Sequence, residues 1–257
     1  MNSKTISTLD NLPDVLCIQE SHLTPKYQPS IPHYHVIRKY RPSSKGKGSG
    51  LMVCVRQTLD FSELDVTLAI LIQGIAVHGF CIFNIYNPPS NPLNSTSLDF
   101  LSNFEKVILC GDFNAHHEMW GSEHTNCSGR TLMEAIDVHD LVVLNTTTHF
   151  SLSGRNAWSL LDLVLVSSSC ASLCASTVTS EFLGSDHSVV LTAVKANTTR
   201  DDQGVPKCSR RLRTNLRFIL HLPGLCLLPL WNECSGSCSG SYSSVQEVYQ
   251  NCRSMVE

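Results

Sequence analysis

From residue 14 to about 195 the chain alternates short apolar runs with polar turns, the rhythm of a strand-rich domain. "DVLCIQE" reads as a buried strand ending in a carboxylate. "GLMVCVR", "LAILIQGIAV" and "FCIFNIY" read as further strands, and the links between them are too short for helices, which predicts antiparallel neighbours. "KVILCGD", "LVVLN", "LLDLVLV" and "HSVVLTAV" supply the rest. Two stretches carry helical spacing. Leu98, Leu101 and Phe104 share a face in "SNPLNSTSLDFLSNF", and Leu132, Ala135 and Ile136 share one in "CSGRTLMEAIDVHD", the stronger of the two. Mixed strands with few helices predict packed sheets with helices outside, an α/β class.

After Ala196 the pattern stops. "NTTRDDQGVPKCSRRLRTNLR" is polar and basic, and "NECSGSCSGSYSSVQEVYQNCRS" is rich in Ser, Cys and Gly without a sustained period. The expected division is therefore a domain over 1–196 and an atypical, poorly ordered tail over 197–257. The apolar run "LRFILHLPGLCLLPLW" at 216–231 is short for a membrane span, holds Arg217 and His221, and is broken by Pro223 and Pro229. No membrane association is expected, and the run itself has no assigned role.

Composition adds little against any class. A net charge of −3 gives no global sign of nucleic-acid binding, but a local basic groove suffices to hold a phosphate backbone. Twelve cysteines invite a disulfide framework, yet "MNSKTISTLDNLPD" has no apolar core of a secretory signal. Cys17, Cys54, Cys81 and Cys110 each lie inside an apolar run, where a free thiol behaves as a small hydrophobe. These features read as a reduced, intracellular chain. "CSGSC" at 234–238 lacks a second pair at zinc-ligand spacing.

Five stretches end apolar runs with groups suited to phosphate chemistry: "IQES" with Glu20, "NIYNPPS" with Tyr86 and Asn87, "GDFNAHH" with Asp112 and Asn114, "SLLDLV" with Asp162, and "GSDHSVV" with Asp186 and His187. Strand ends on one side of a sheet converge on one cleft. A carboxylate there can hold Mg²⁺, a second acid can deprotonate an attacking water, and a His–Asp pair can stabilise charge growing on phosphate. Asn can hold water and phosphate together. Singly, each has an ordinary explanation. Glu20 can be a solvated strand end, Asp162 a buried acid bonded to backbone amides, and "SDH" a turn. "GDFNAHH" is the exception, because Asp and Asn two apart on extended backbone point the same way. His116 and His117 diverge, and a polar surface role for them is at least as good a reading.

Taken in order, the five resemble the endonuclease/exonuclease/phosphatase superfamily. "GDFNAHHEMWGS", "GRTLMEAIDVHDLVVLN" and "SLLDLVLVSS" are similar, more narrowly, to the endonuclease domain of non-LTR retrotransposon polyproteins over residues 14 to about 195. The resemblance implies a four-layer sandwich: two packed mixed β-sheets, helices on both outer faces, and the site at one sheet edge. It implies Mg²⁺ or Mn²⁺ on Glu20, with Asp186 supporting the metal or leaving-group side. Asp112 would activate water, Asn114 would touch the phosphate, Asp162 would hold the tautomer of His187, and His187 would bind the scissile phosphate. Tyr86 would stand near the phosphate with Asn87 beside it. In "RKYRPSSKGKGSG", Arg41 and Lys47 would contact DNA, against the alternative of a solvated loop. The implied partner is duplex DNA nicked in the nucleus to leave a priming 3′-hydroxyl, and the parent polyprotein would also carry a reverse transcriptase.

In the family a strand bearing an active-site asparagine precedes the "IQE" strand by roughly a helix. Here thirteen residues precede "DVLCIQE", "MNSKTISTLDNL" resembles the end of that helix, and Asn2 has no apolar strand around it. The expectation is that the first strand and one active-site amide are missing, leaving unpaired backbone beside "DVLCIQE". Two other functions therefore stand beside the nuclease: an inactive remnant that at most binds nucleic acid weakly, and a superfamily relative acting on abasic DNA or a phosphoinositide.

Overall fold

The computed structural model describes residues 13–21, 28–40, 50–66, 70–145, 160–179, 187–195 and 215–222, the last as backbone alone. They form two six-stranded sheets. Sheet A contains β1 (Val15–Ile18), β2 (Tyr34–Tyr40), β3 (Gly50–Arg56), β10 (Cys174–Val178), β11 (Val190–Lys195) and β12 (Asn215–Leu222) in the order β10-β11-β12-β1-β3-β2. Sheet B contains β4 (Phe61–Leu64), β5 (Leu71–Val77), β6 (Phe80–Tyr86), β7 (Val107–Asp112), β8 (Leu141–Val143) and β9 (Asp162–Ser167) in the order β4-β5-β6-β7-β9-β8. Both sheets are mixed: β1–β12 and β6–β7 run parallel, and the other pairings are antiparallel.

Alternation along the sheet B strands sorts two cores. Ile82, Ile108, Cys110, Val164 and Val166 face sheet A and pack with Val15, Cys17, Met52 and Cys54. Phe83, Ile85, Leu109, Leu163 and Leu165 point the other way, onto Leu132 and Ile136 of α1 (Cys127–Val138), Trp120 and Leu101. That period of two is what a strand covered on both faces requires. A helix layer therefore covers the outer face of sheet B, and helices over sheet A are not among the described residues. Cys17, Cys54 and Cys110 sit in the inter-sheet core as free thiols.

One polar bridge crosses this core. Asn84 of β6 is fully buried, donates to the carbonyls of Ile18 (3.1 Å) and Met52 (3.2 Å), and accepts from the side-chain amide of Gln19. It ties sheet B to both β1 and β3. A second buried pair, Arg56 with Asp14 at 3.2 Å, joins β3 to the chain entering β1.

The structure differs from the sequence reading in four places. "GLMVCVR" pairs with β1 and β2, and "LAILIQGIAV" lies in the other sheet, so those two are not neighbours. Within "SNPLNSTSLDFLSNF" only a 3-10 turn forms at Asp99–Asn103, because Asn94 Oδ1 accepts from Thr96 and Ser97 and offers the backbone a local alternative to a helix. Arg38 and Lys39, grouped with a basic loop, lie in β2, where Lys39 Nζ donates to the Val66 carbonyl (2.6 Å) and Arg38 lies over the Tyr40 ring. Finally, β12 pairs with β1 on one side and β11 on the other, so β1 has no open edge among the described strands.

Replacing Asn84 by Ala would strand the Gln19 amide and two carbonyls in a dry core. The expected loss is about 3 kcal/mol in urea unfolding, against about 0.5 kcal/mol or less for Asn103→Ala on the surface.

Candidate active site

Three of the candidate residues form one row across sheet B. Tyr86 ends β6, Asp112 ends β7 and Asp162 begins β9; Tyr86 lies opposite Asp112, and Asp112 opposite Asp162. By alternation they belong to the face that carries Ile82, Cys110 and Val164, so the row closes the inter-sheet core at one edge. Sheet A supplies the other wall. Glu20 follows β1, and the Tyr86 hydroxyl donates to its Oε1. His187 precedes β11, and its Nδ1 stands 2.7 Å from Asp162 Oδ2.

The backbone around Asp112 explains the glycine before it. Gly111 has φ 151°, and a Cβ there would stand 1.9 Å from the Ile85 carbonyl oxygen, so β6 and β7 could not close on any other residue. Asn114 then takes a left-handed φ of 44°, which Asn tolerates better than most side chains. That turn folds Asn114 back: its backbone N–H donates to Asp112 Oδ1 (2.9 Å) and its amide to Asp112 Oδ2 (2.9 Å) and the Asn87 carbonyl (3.0 Å). Glu20 is also left-handed, at φ 47°. Two residues of the site therefore hold backbone conformations that cost energy and need surrounding structure to persist.

Burial pushes the Asp112 carboxyl up to about 8, and the charges of Asp162 and Glu20 add to this, while the Asn114 N–H and His187 oppose it. Asp162 is held from behind. Asn145 donates to its carbonyl (2.6 Å) and accepts from the Val164 N–H (2.8 Å), which fixes the start of β9. With Nδ1 bonded to Asp162, His187 presents Nε2 to the cleft, the arrangement by which an acid sets a tautomer.

The structure thus brings together Glu20, Tyr86, Asp112, Asn114, Asp162 and His187. Asn87 is placed differently from a residue reaching for substrate. It is fully buried, donates to the Phe113 carbonyl (2.9 Å), and its Oδ1 has no partner. Asp186, Arg41 and Lys47 lie outside the described residues. Of the two histidines, His116 stacks on His124 (4.5 Å), with burial lowering its pKa, and His117 lies against Trp120.

Four supporting residues escaped the sequence reading: Gln19, Asn84, Asn126 and Asn145. Asn126 accepts from the N–H groups of Gly129 (2.7 Å) and His116 (3.1 Å) and donates to the Asn114 carbonyl (2.9 Å), so one side chain caps α1 and fastens the loop after Asp112. The available signal was a polar amide inside or just after an apolar run, as in "FCIFNIY", "CIQE" and "LVVLN".

Among the described residues no three His, Cys, Asp or Glu side chains stand close enough to cage an ion. Mg²⁺ needs no such cage, since it binds through one or two carboxylates and keeps waters for phosphate. The donor set fits that mode. Three carboxylates face one imidazole, and the strain of this excess negative charge shows in the raised Asp112.

Comparison with known proteins agrees with this geometry. Residues 80–191 match the family described as Endonuclease-reverse transcriptase. The RNA-directed DNA polymerase from mobile element jockey of Drosophila funebris is 26% identical over 163 residues, 60% of this chain and 18% of that protein. Its Drosophila melanogaster counterpart is 27% identical over 225 residues, 82% of this chain and 24% of that protein. The chain therefore spans at most about a quarter of the length of these relatives. Among solved structures, the endonuclease domain of TRAS1, a telomere-specific non-LTR retrotransposon, shares the fold at a TM-score of 0.56 and 19% identity, over 73% of this chain and 88% of that domain. The fold and site are of the α/β endonuclease class. Within it, the chain resembles the endonuclease domain of non-LTR retrotransposon polyproteins.

A pH dependence follows from Asp112. Its carboxyl ordinarily titrates near 3.8 and in the fold near 8, so between these values the folded chain holds a proton that the unfolded chain has lost. Stability contributed below the lower value is lost as pH rises through the upper one. In EDTA, urea unfolding at pH 5 and pH 8 is expected to show a fall that Asp112→Asn, having no proton to lose, reduces. An identical fall in both proteins would contradict the assignment.

Proposed function

We propose that the chain hydrolyses one phosphodiester of duplex DNA with the help of Mg²⁺ or Mn²⁺, nicking a target for retrotransposition. The observation that carries this reading is the row Tyr86–Asp112–Asp162 facing Glu20 and the Asp162–His187 pair. A bound divalent cation would draw charge from phosphate oxygens and favour ionised carboxylates around it. Glu20 holds it, supported by Asp186, while the Tyr86 hydroxyl keeps Glu20 aimed.

Asp112, once ionised, takes a proton from a water lined up on phosphorus, and Asn114 holds the phosphate against that water. The water oxygen forms a bond to phosphorus as the bond to the 3′-oxygen breaks. The products are a 5′-phosphate and a 3′-hydroxyl, the end a polymerase can extend. His187 Nε2 donates to a phosphoryl oxygen as charge builds there, and Asp162 stabilises the imidazolium that does so. Arg41 and Lys47 hold the DNA backbone to either side.

The test is nicking of supercoiled plasmid in Mg²⁺ by purified full-length chain. Asp112→Ala and His187→Ala are each expected to lose roughly a hundredfold or more. Asp162→Asn is expected to retain binding while the pH profile of nicking shifts, because His187 loses its charged partner. Equal nicking by wild type and both alanine variants marks a contaminant, and absence of nicking by the wild type sinks the reading. Abasic duplex and phosphoinositide substrates, run alongside, separate this activity from a relative's.

A further inference from the structure

The loop that leaves the site is pinned at almost every residue. Asn114 is tied to Asp112, Asn87 and Asn126; the Ala115 carbonyl accepts from Trp120 Nε1 (2.9 Å); His116 is tied to Asn126 through both backbone groups. His117 Nδ1 accepts from the Met119 N–H (3.1 Å), and its carbonyl accepts from Trp120 (3.3 Å) and Ser122 (3.1 Å). Trp120 is fully buried in the outer core of sheet B. Against this anchorage stands one side chain: Met119 is 65% exposed. The other large exposed apolar residues among those described are Val138, at the far end of α1, and Val142, on edge strand β8.

Chain reach places Met119 beside the chemistry. Five residues separate it from Asn114, at most about 17 Å fully extended and less in a folded loop. A duplex rises about 3.4 Å per base pair, so the methionine lies within roughly five base pairs of a phosphate held at Asn114. Its neighbours are wrong for phosphate contact. Glu118 and Glu123 would repel the backbone, and His116, stacked and partly buried, has its charge suppressed. What this rigid tip can offer a duplex is an apolar side chain at base level.

The geometry points to Met119 as a wedge that enters a base step beside the scissile phosphate and biases nicking toward steps that unstack cheaply. Apolar wedges in other DNA-binding proteins act this way, and pyrimidine–purine steps deform most easily. The deeply buried Trp120 ring and its bond to Ala115 supply the backing that keeps such a tip from folding away. This inference rests on the proposed nuclease reading, and its test is built so that the two can fail separately.

Two measurements use the full-length chain. First, nick positions are mapped on a plasmid in Mg²⁺ for wild type, Met119→Ala and Met119→Leu. Preference for TA and CA steps is expected to drop roughly threefold or more in Met119→Ala and to persist in Met119→Leu, with total nicking changed much less. An unchanged distribution in Met119→Ala overturns the wedge while leaving the nuclease intact. Second, a duplex carrying 2-aminopurine at a TA step is titrated with the Asp112→Ala chain, alone and combined with Met119→Ala. A fluorescence rise lost in the double variant supports the wedge even if wild type nicks nothing, in which case the nuclease reading alone falls. A rise that survives loss of Met119, or no rise with bound duplex, overturns it.

Discussion

The Gln19–Asn84 bridge is the constraint on which the rest of the site depends. Sheets packed only through aliphatic side chains can slide, since dispersion and the hydrophobic effect are weakly directional. Asn84 removes that freedom by bonding β6 to Gln19 and to backbone carbonyls of β1 and β3. Glu20 is the next residue after Gln19, and Tyr86 stands two residues beyond Asn84 on the same face. The contact between Tyr86 and Glu20 is therefore set by polar bonds one step deeper in the core. A buried amide network of this kind is costly when partly satisfied and selects a single arrangement when complete.

A second constraint acts along sheet B itself. Asp112 and Asp162 face each other across an antiparallel ladder, a placement that repels when both are charged. Nothing in sheet formation asks for it. Its cost is offset locally by the His187 ring on Asp162, by Asn114 on both oxygens of Asp112, and by Asn145 behind the Asp162 backbone. The site thus holds negative charge in excess, arranged so that a cation and a phosphate arriving together relieve it.

The central strands were legible in the sequence, and three edge strands were not, for a physical reason. β3, β6, β7 and β9 are covered on both faces and read as apolar runs, with boundaries close to those observed. β2, β4 and β10 are sheet edges, half exposed, and their "YHVIRKY", "FSEL" and "CASTV" carry no run long enough to stand out. The reacting groups were legible because Asp112, Asp162 and His187 sit at ends of apolar runs. The struts were not, because Asn84, Asn126 and Asn145 act through distant carbonyls and amides that only the folded register brings near. Asn87 shows the same limit in reverse: its position in "NIYN" suggested a ligand, and the turn into β7 buries it instead.

β12 carries a consequence for how the molecule assembles. It is the strand that joins β11, with His187 at its head, to β1, with Glu20 at its tail, and it lies far along the chain from β1. Synthesis delivers β1, β2 and β3 first, so until β12 emerges the β1 edge carries open N–H and C=O groups beside a bare apolar face. Pairing so distant in sequence is slow, and an exposed edge of this kind recruits other chains while it waits. The two walls of the cleft thus meet last, and the nascent chain is most exposed to aggregation just before it gains the geometry of its site.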